Sequence, residues 1–289
     1  MAESGRGPTG SLLTDGAGNQ KLLSAATAAS SKGTLGVAIA PIDAAGNALP
    51  RCCQASPARR RCGSRAAVTS AGSTSIRAQR RAAVLALGGV VAPLLFAAVV
   101  LVCAALRPGY SHVRQFVSEL GETGGSHSRL MNFAGFVPAG VLFMAFGVSL
   151  LQVVPRTTAS LAAALLIVVY GLGAAGAGVY SCDPGCPTTH LSTHATLHLV
   201  VSFTAFAAGI VGIALWAHCF RTREGWRSLW RFSAVSSALA LVLLVLFNVS
   251  EPTRTWTGAW QRLFVLTLDL WCMVVGYRAF RVFSAPDPW

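Results

Sequence analysis

Six apolar runs divide the second two-thirds of the chain, at 82–106, 131–153, 159–180, 194–218, 229–249 and 260–282. A helix of about 20 apolar residues covers the hydrocarbon core of a bilayer, so each run is long enough to span. None alternates apolar and polar positions over ten residues as a barrel strand would, and the spans are predicted to be helices. The connections read SHVRQFVSELGETG, a very short PRTTA, a loop containing CDPGCP, FRTREGWRS and SEPTRTWTGAW. The third run contains GLGAAGAG (171–178), a stripe of small residues that lets a neighbouring helix approach closely. The expected fold is all-α: a polytopic six-helix membrane domain over 82–283, followed by a short tail over 284–289.

Residues 1–81 show no sustained periodicity, and their longest apolar run, LGVAIAPI at 35–42, is too short to cross a bilayer. A segment this rich in Ala, Gly, Ser and Arg buries too little apolar surface to fold alone and is expected to be disordered. Its Arg/Ser-rich, acid-poor character resembles an organelle transit segment, and a mis-called start would explain it equally well.

Composition supports the membrane reading. The chain is 53% hydrophobic and only 11% charged, against about a quarter charged in soluble domains. Of the net charge of +13, a large share comes from eleven Lys/Arg in residues 1–81, set against Glu3, Asp15 and Asp43. Basic charge in a tail beside a membrane points to anionic lipid as its partner rather than to nucleic acid. The eight cysteines are scattered among tail, loop and spans, which is no disulfide framework.

Orientation follows from the arginines near the span ends. One side holds eleven: Arg65, Arg77, Arg80, Arg81, Arg156, Arg221, Arg223, Arg227, Arg231, Arg278 and Arg281. The other holds five: Arg107, Arg114, Arg129, Arg254 and Arg262. Both termini are therefore expected to be cytoplasmic, in the plasma membrane, or in an organelle membrane if the tail is a transit segment. Trp226 and Trp230 then fall in the inner aromatic belt, Trp256 and Trp260 in the outer one.

That orientation decides how SCDPGCPTTHLSTHATLH (181–198) is read. Outside the cytoplasm a Cys182–Cys186 disulfide leads, helped by the turn-forming Asp-Pro-Gly between them. A zinc site of Cys182, Cys186, His190 and His194 comes second. If a helix starts near Pro187, His190, His194 and His198 make a row at four-residue steps. Such a row could hold zinc, the one cofactor the sequence leaves open, with Asp183, Glu119 or Glu251 completing the shell. The plain alternative is two interfacial histidines and a hydrogen-bonded packing residue at His198.

In SHVRQFVSELG (111–121), Val113, Phe116, Val117 and Leu120 form one helical stripe, and Gly121 is a natural stop. A short amphipathic surface helix is expected there, with His112, Gln115 and Glu119 along one flank. Asp269 sits midway along the sixth span, where an ionisable group points to function unless it is protonated and hydrogen-bonded. Asn248 opens an NVS sequon close to the membrane. A bis-His haem needs histidines on two facing helices, yet His198 and His218 lie at opposite ends of one span. No Walker-type loop, GxSxG elbow or HExxH motif is present.

Together, RPGYSHVRQFVSELGETG, the CDPGCP loop followed by histidine in the next helix, and GAWQRLFVLTLDLW resemble the six-helix membrane family catalogued as domain of unknown function 998. The resemblance covers about residues 82–283. It implies the fold and a role for Ser118, Glu119, Cys182, Asp183, Cys186, His198 and Arg262, but carries no reaction with it. The leading functional expectation is a membrane protein that binds or senses a small or lipid-like ligand. Its polar outer pocket would be built from His112, Ser118, Glu119, Asp183, Glu251 and Arg262. Two rivals stand beside it. One is a metal-dependent lipid hydrolase with His190, His194 and His198 as ligands and Ser118, Glu119 or Asp183 in the chemistry. The other is a proton-coupled transporter working through Asp269.

Overall fold

The structure, a computed structural model, describes residues 77–285 and a two-residue ladder pairing Leu13–Thr14 antiparallel with Gln20–Lys21. Apart from that ladder and residues 77–81, the expected tail, with its transit-segment and anionic-lipid readings, lies outside the described residues. So do Cys52, Cys53 and Cys62.

Among the described residues six helices are long and apolar enough to cross a membrane: α1 (Arg77–Ala105), α2 (Ser128–Leu150), α3 (Thr158–Val179), α4 (Thr193–Arg221), α5 (Arg227–Thr253) and α6 (Thr257–Ser284). Each coincides with one of the expected runs to within five residues at either end. The first starts earlier than its run: Arg77, Arg80 and Arg81 are already helical, because arginine is a good helix former and its long stem can lie along apolar surface. Local chemistry sets the other starts. Thr157 and Ser160 bond each other's backbone in a capping box ahead of α3, and the Ser192 hydroxyl accepts the N–H of Ala195 ahead of α4. The first turns of α2 are wider, a π-helical stretch over Met131–Phe136.

Helices adjacent in sequence pack side by side, and α1 closes against α6, so the bundle is a ring. α6 also touches α2 and α4, which pinches the ring on that side. Helices pack with their axes about 8–10 Å apart, so a ring of six leaves an axial space for side chains to fill. Near the connections 151–157 and 222–226 it is filled by Phe146, Trp216, Phe220 and Trp271, all fully buried. Trp271 there donates its indole N–H to Ser233 Oγ at 2.9 Å. The outward faces carry exposed Val91, Leu165, Val235 and Val242, as lipid contact requires. Toward the loops at 106–127, 180–192 and 254–256 the filling is incomplete, and there the functional residues gather.

Candidate ligand cavity and its polar lid

The stretch at 111–121 is not the expected surface helix. Residues 112–114 form a turn, and only Ser118–Gly121 is helical, as one 3-10 turn. The backbone explains the difference. The Phe116 N–H donates to the Glu119 carboxylate at 3.0 Å, and the Val117 N–H to Gln261 Oε1 at 2.7 Å. Neither is left for the carbonyl four residues back, so no α-helix propagates. The apolar stripe survives in part: Phe116, Val117 and Leu120 are buried, whereas Val113 is exposed. The segment is a lid folded into the ring's mouth.

Three arginines hold this lid down, Arg107 from just before it and Arg254 and Arg262 from the far end of the chain. Arg107 donates to the Glu119 backbone carbonyl and, at 2.7 Å, to the Glu122 carboxylate. Arg262 donates to the carbonyls of His112 (2.7 Å) and Gln115 (2.9 Å) and to the Tyr110 hydroxyl (2.5 Å). Arg254, in a left-handed backbone conformation, donates to Glu119 Oε1 at 2.9 Å and to the carbonyls of Gly185 and Cys186. Its guanidinium also lies 4.1 Å from the Phe116 ring centroid. Burial pushes the Tyr110 hydroxyl's pKa up, with Arg262 opposing; burial and then Arg262 push the His112 imidazole down.

The CDPGCP loop forms the lid's other half. Cys182 and Cys186 are disulfide-bonded, with Cα atoms 5.1 Å apart, and both are buried. The turn between them closes with the Cys186 N–H donating to the Asp183 carbonyl at 2.8 Å. Glu122 accepts the Gly185 N–H at 2.6 Å, and the Ser118 hydroxyl lies 3.5 Å from Cys186 Sγ. Asp183 accepts both the backbone N–H and the hydroxyl of Ser192, at 2.8 and 2.7 Å, which holds its carboxyl below the usual carboxylate range.

This clasp displaces the expected start of α4. The helix begins at Thr193, not near Pro187, and His190 lies outside it in a left-handed conformation. The row of three histidines does not form. His190 is exposed; His194 packs edge-on toward the Tyr180 ring at 5.9 Å; His198 is buried, its Nδ1 2.7 Å from the Tyr180 carbonyl. Among the described residues no three His, Cys, Asp or Glu side chains are grouped to hold a metal ion, so the residues present do not fit the zinc site.

Beneath the lid lies a cavity of about 150 Å³. Its walls come from all six helices and include seven phenylalanines and Tyr170. Ser118, the two disulfide cysteines and Glu251 border its mouth, and Asp269 lies at its deep end. Asp269 stands 12 residues into α6 from Thr257, a depth of about 18 Å at 1.5 Å per residue. On α6 the polar residues Gln261 and Asp269 flank Val265 at four-residue steps, a lining stripe readable in the sequence. Two lining residues, Phe203 on α4 and Asn248 on α5, are also exposed on the outside of the bundle.

Of the residues expected in a polar pocket, only Ser118 and Glu251 line the cavity. Glu119 and Arg262 are engaged in the lid, Asp183 in the α4 clasp, and His112 is exposed on the lid's surface. The space is largely apolar, with Asp269 at its deep end, and the polar groups of the lid above it bond one another.

Residues 90–278 match the family described as protein of unknown function (DUF998), and the chain belongs to that family. No curated protein and no solved structure matches it.

Proposed function

We propose that this membrane protein binds a lipid-like amphiphile, whose apolar part enters the cavity between α4 and α5 from the bilayer. The cavity carries the reading. A largely apolar space of about 150 Å³ is the size that accepts a benzene-sized group. It therefore suits one ring or a short length of alkyl chain, with the rest of the molecule at the opening. The exposed Phe203 and Asn248 supply the way in from the side. The bonded lid closes the way in from water.

The test fills the space. Ala174 of α3 lines the cavity, and Ala174→Phe places a ring inside it. With the neutral amphiphile 1-O-dodecylglycerol, native mass spectrometry should find one molecule retained by the wild-type protein. Affinity should fall at least tenfold in the variant. Equal retention by both proteins would overturn the proposal.

The same reading places the lid outside the cytoplasm, with both termini inside, in the plasma membrane. The arginine bias supports it more strongly once contacts are counted. Arg107, Arg254 and Arg262 on the lid side are each bonded within the lid, leaving Arg114 and Arg129 as its remaining arginines. An impermeant thiol reagent on single-cysteine variants of intact cells should label position 190 and spare position 224. The reverse pattern would invert the topology.

A further inference from the structure

We propose that the cavity prefers a cationic occupant: a lipophilic amine whose ammonium group pairs with Asp269. This rests on the ligand-binding reading above and deepens it by naming the ligand's charge.

Asp269 is 6% exposed, yet it lines the cavity floor. Among the described residues its carboxylate has no ion pair, and its one hydrogen bond is from the Tyr170 hydroxyl at 3.4 Å. A carboxyl group at this depth is costly and is normally paired with a cation or a polar neighbour. Among the described residues no lysine or arginine lines the cavity, and its one histidine, His198, is bonded through Nδ1 to the Ala177 and Tyr180 carbonyls. The arginines that stabilise the lid are committed to Glu119, Glu122 and backbone carbonyls. The missing positive charge is therefore one a ligand can bring.

The walls favour the same sign. Aromatic faces are negative and attract cations held within about 6 Å, more strongly where water is excluded. Tyr170, which bonds Asp269, packs on Phe143 with ring centroids 4.9 Å apart. Both rings line the floor region of the cavity. The second acidic lining residue, Glu251, stands at the mouth, 3.7 Å from Arg254. A carboxylate ligand would meet the carboxylate of Asp269 and the negative ring faces together. The expected order is amine above neutral analogue above acid.

A matched set of probes reads this directly: 4-phenylbutylamine, 4-phenylbutan-1-ol and 4-phenylbutyrate, each with one ring and a short chain. Binding to the full-length protein in nanodiscs should be at least tenfold tighter for the amine than for the alcohol, and weakest for the acid. Asp269→Asn should remove the gap between amine and alcohol, with folding of the variant checked by its monodisperse elution and near-UV circular dichroism. An alcohol that binds and is blocked by Ala174→Phe, with an amine no tighter, would overturn the charge preference alone. So would a gap that persists in Asp269→Asn. If Ala174→Phe blocks neither probe, the cavity itself is not the binding site and both proposals fall.

Discussion

Replacing Glu119 with alanine is expected to release the lid and destabilise the protein by about 3 kcal/mol, the low end for breaking a buried ion pair. The low end applies because Glu119's side chain is 4% exposed whereas Arg254's is 33% exposed, so water screens part of the attraction. The loss is larger than one pair suggests. The Glu119 carboxylate also accepts the Phe116 N–H and the Gln115 amide, and alanine leaves the buried Phe116 N–H without an acceptor. Arg254→Ala should cost less, since Glu119 keeps those two donors. The double variant should then be more stable than the sum of the single losses implies, by at least 1 kcal/mol, as expected of directly interacting groups. Equilibrium unfolding in mixed micelles measures all three. Strictly additive losses would mean that the pair contributes nothing.

The second large effect lies on the seam between α2 and α3. A Cβ built on Gly171 would sit 2.6 Å from the Gly140 carbonyl oxygen and 2.6 Å from the Met144 backbone nitrogen. Both are backbone atoms, so no side chain can turn aside, and the helices themselves would have to separate. Overpacking typically costs about 1–3 kcal/mol, and Gly171→Ala should reach the upper part of that range despite alanine's better helix propensity. Gly176, on the same helix, is the control. A Cβ there meets Val201 side-chain atoms at 3.4 Å, an ordinary contact. Gly176→Ala should therefore be neutral or stabilising, by up to about 1 kcal/mol. Opposite signs in thermal unfolding are the expected result. Equal losses at the two positions would show that helix separation is not the cause.

The six spans were readable because a bilayer imposes a length on apolar runs that few other constraints mimic. The GLGAAGAG stripe likewise marked a close seam, since only missing side chains permit one. The lid was readable only in part. Phe116, Val117 and Leu120 showed where apolar surface is buried, but not that Glu119 and Gln261 would take the backbone N–H groups and stop a helix. Gln261 is 144 residues from Val117, and no local pattern reports such a partner. Arg254, 135 residues from Glu119, was missed for the same reason, and Arg107, only 12 to 15 residues from its partners, because near a membrane surface it looked like a topology charge. The start of α4 was more accessible. Ser192 before the periodic residues is an N-cap signal, and it competed with the Pro187 signal that suggested the histidine row. The Asp183–Ser192 clasp settled that competition. The cavity was legible only through Ser118, Glu251 and Asp269, because the gap itself depends on how six helices meet.

Whether that gap takes its occupant from the bilayer is tested most directly by photolabelling in nanodiscs with a diazirine-bearing analogue of 1-O-dodecylglycerol. The result expected is cross-linking concentrated on Leu199, Phe203, Phe206 and Phe247, suppressed by excess unlabelled probe and lost in Ala174→Phe. Labelling spread over outward-facing positions such as Val235 and Val242, insensitive to competitor and to Ala174→Phe, would contradict it.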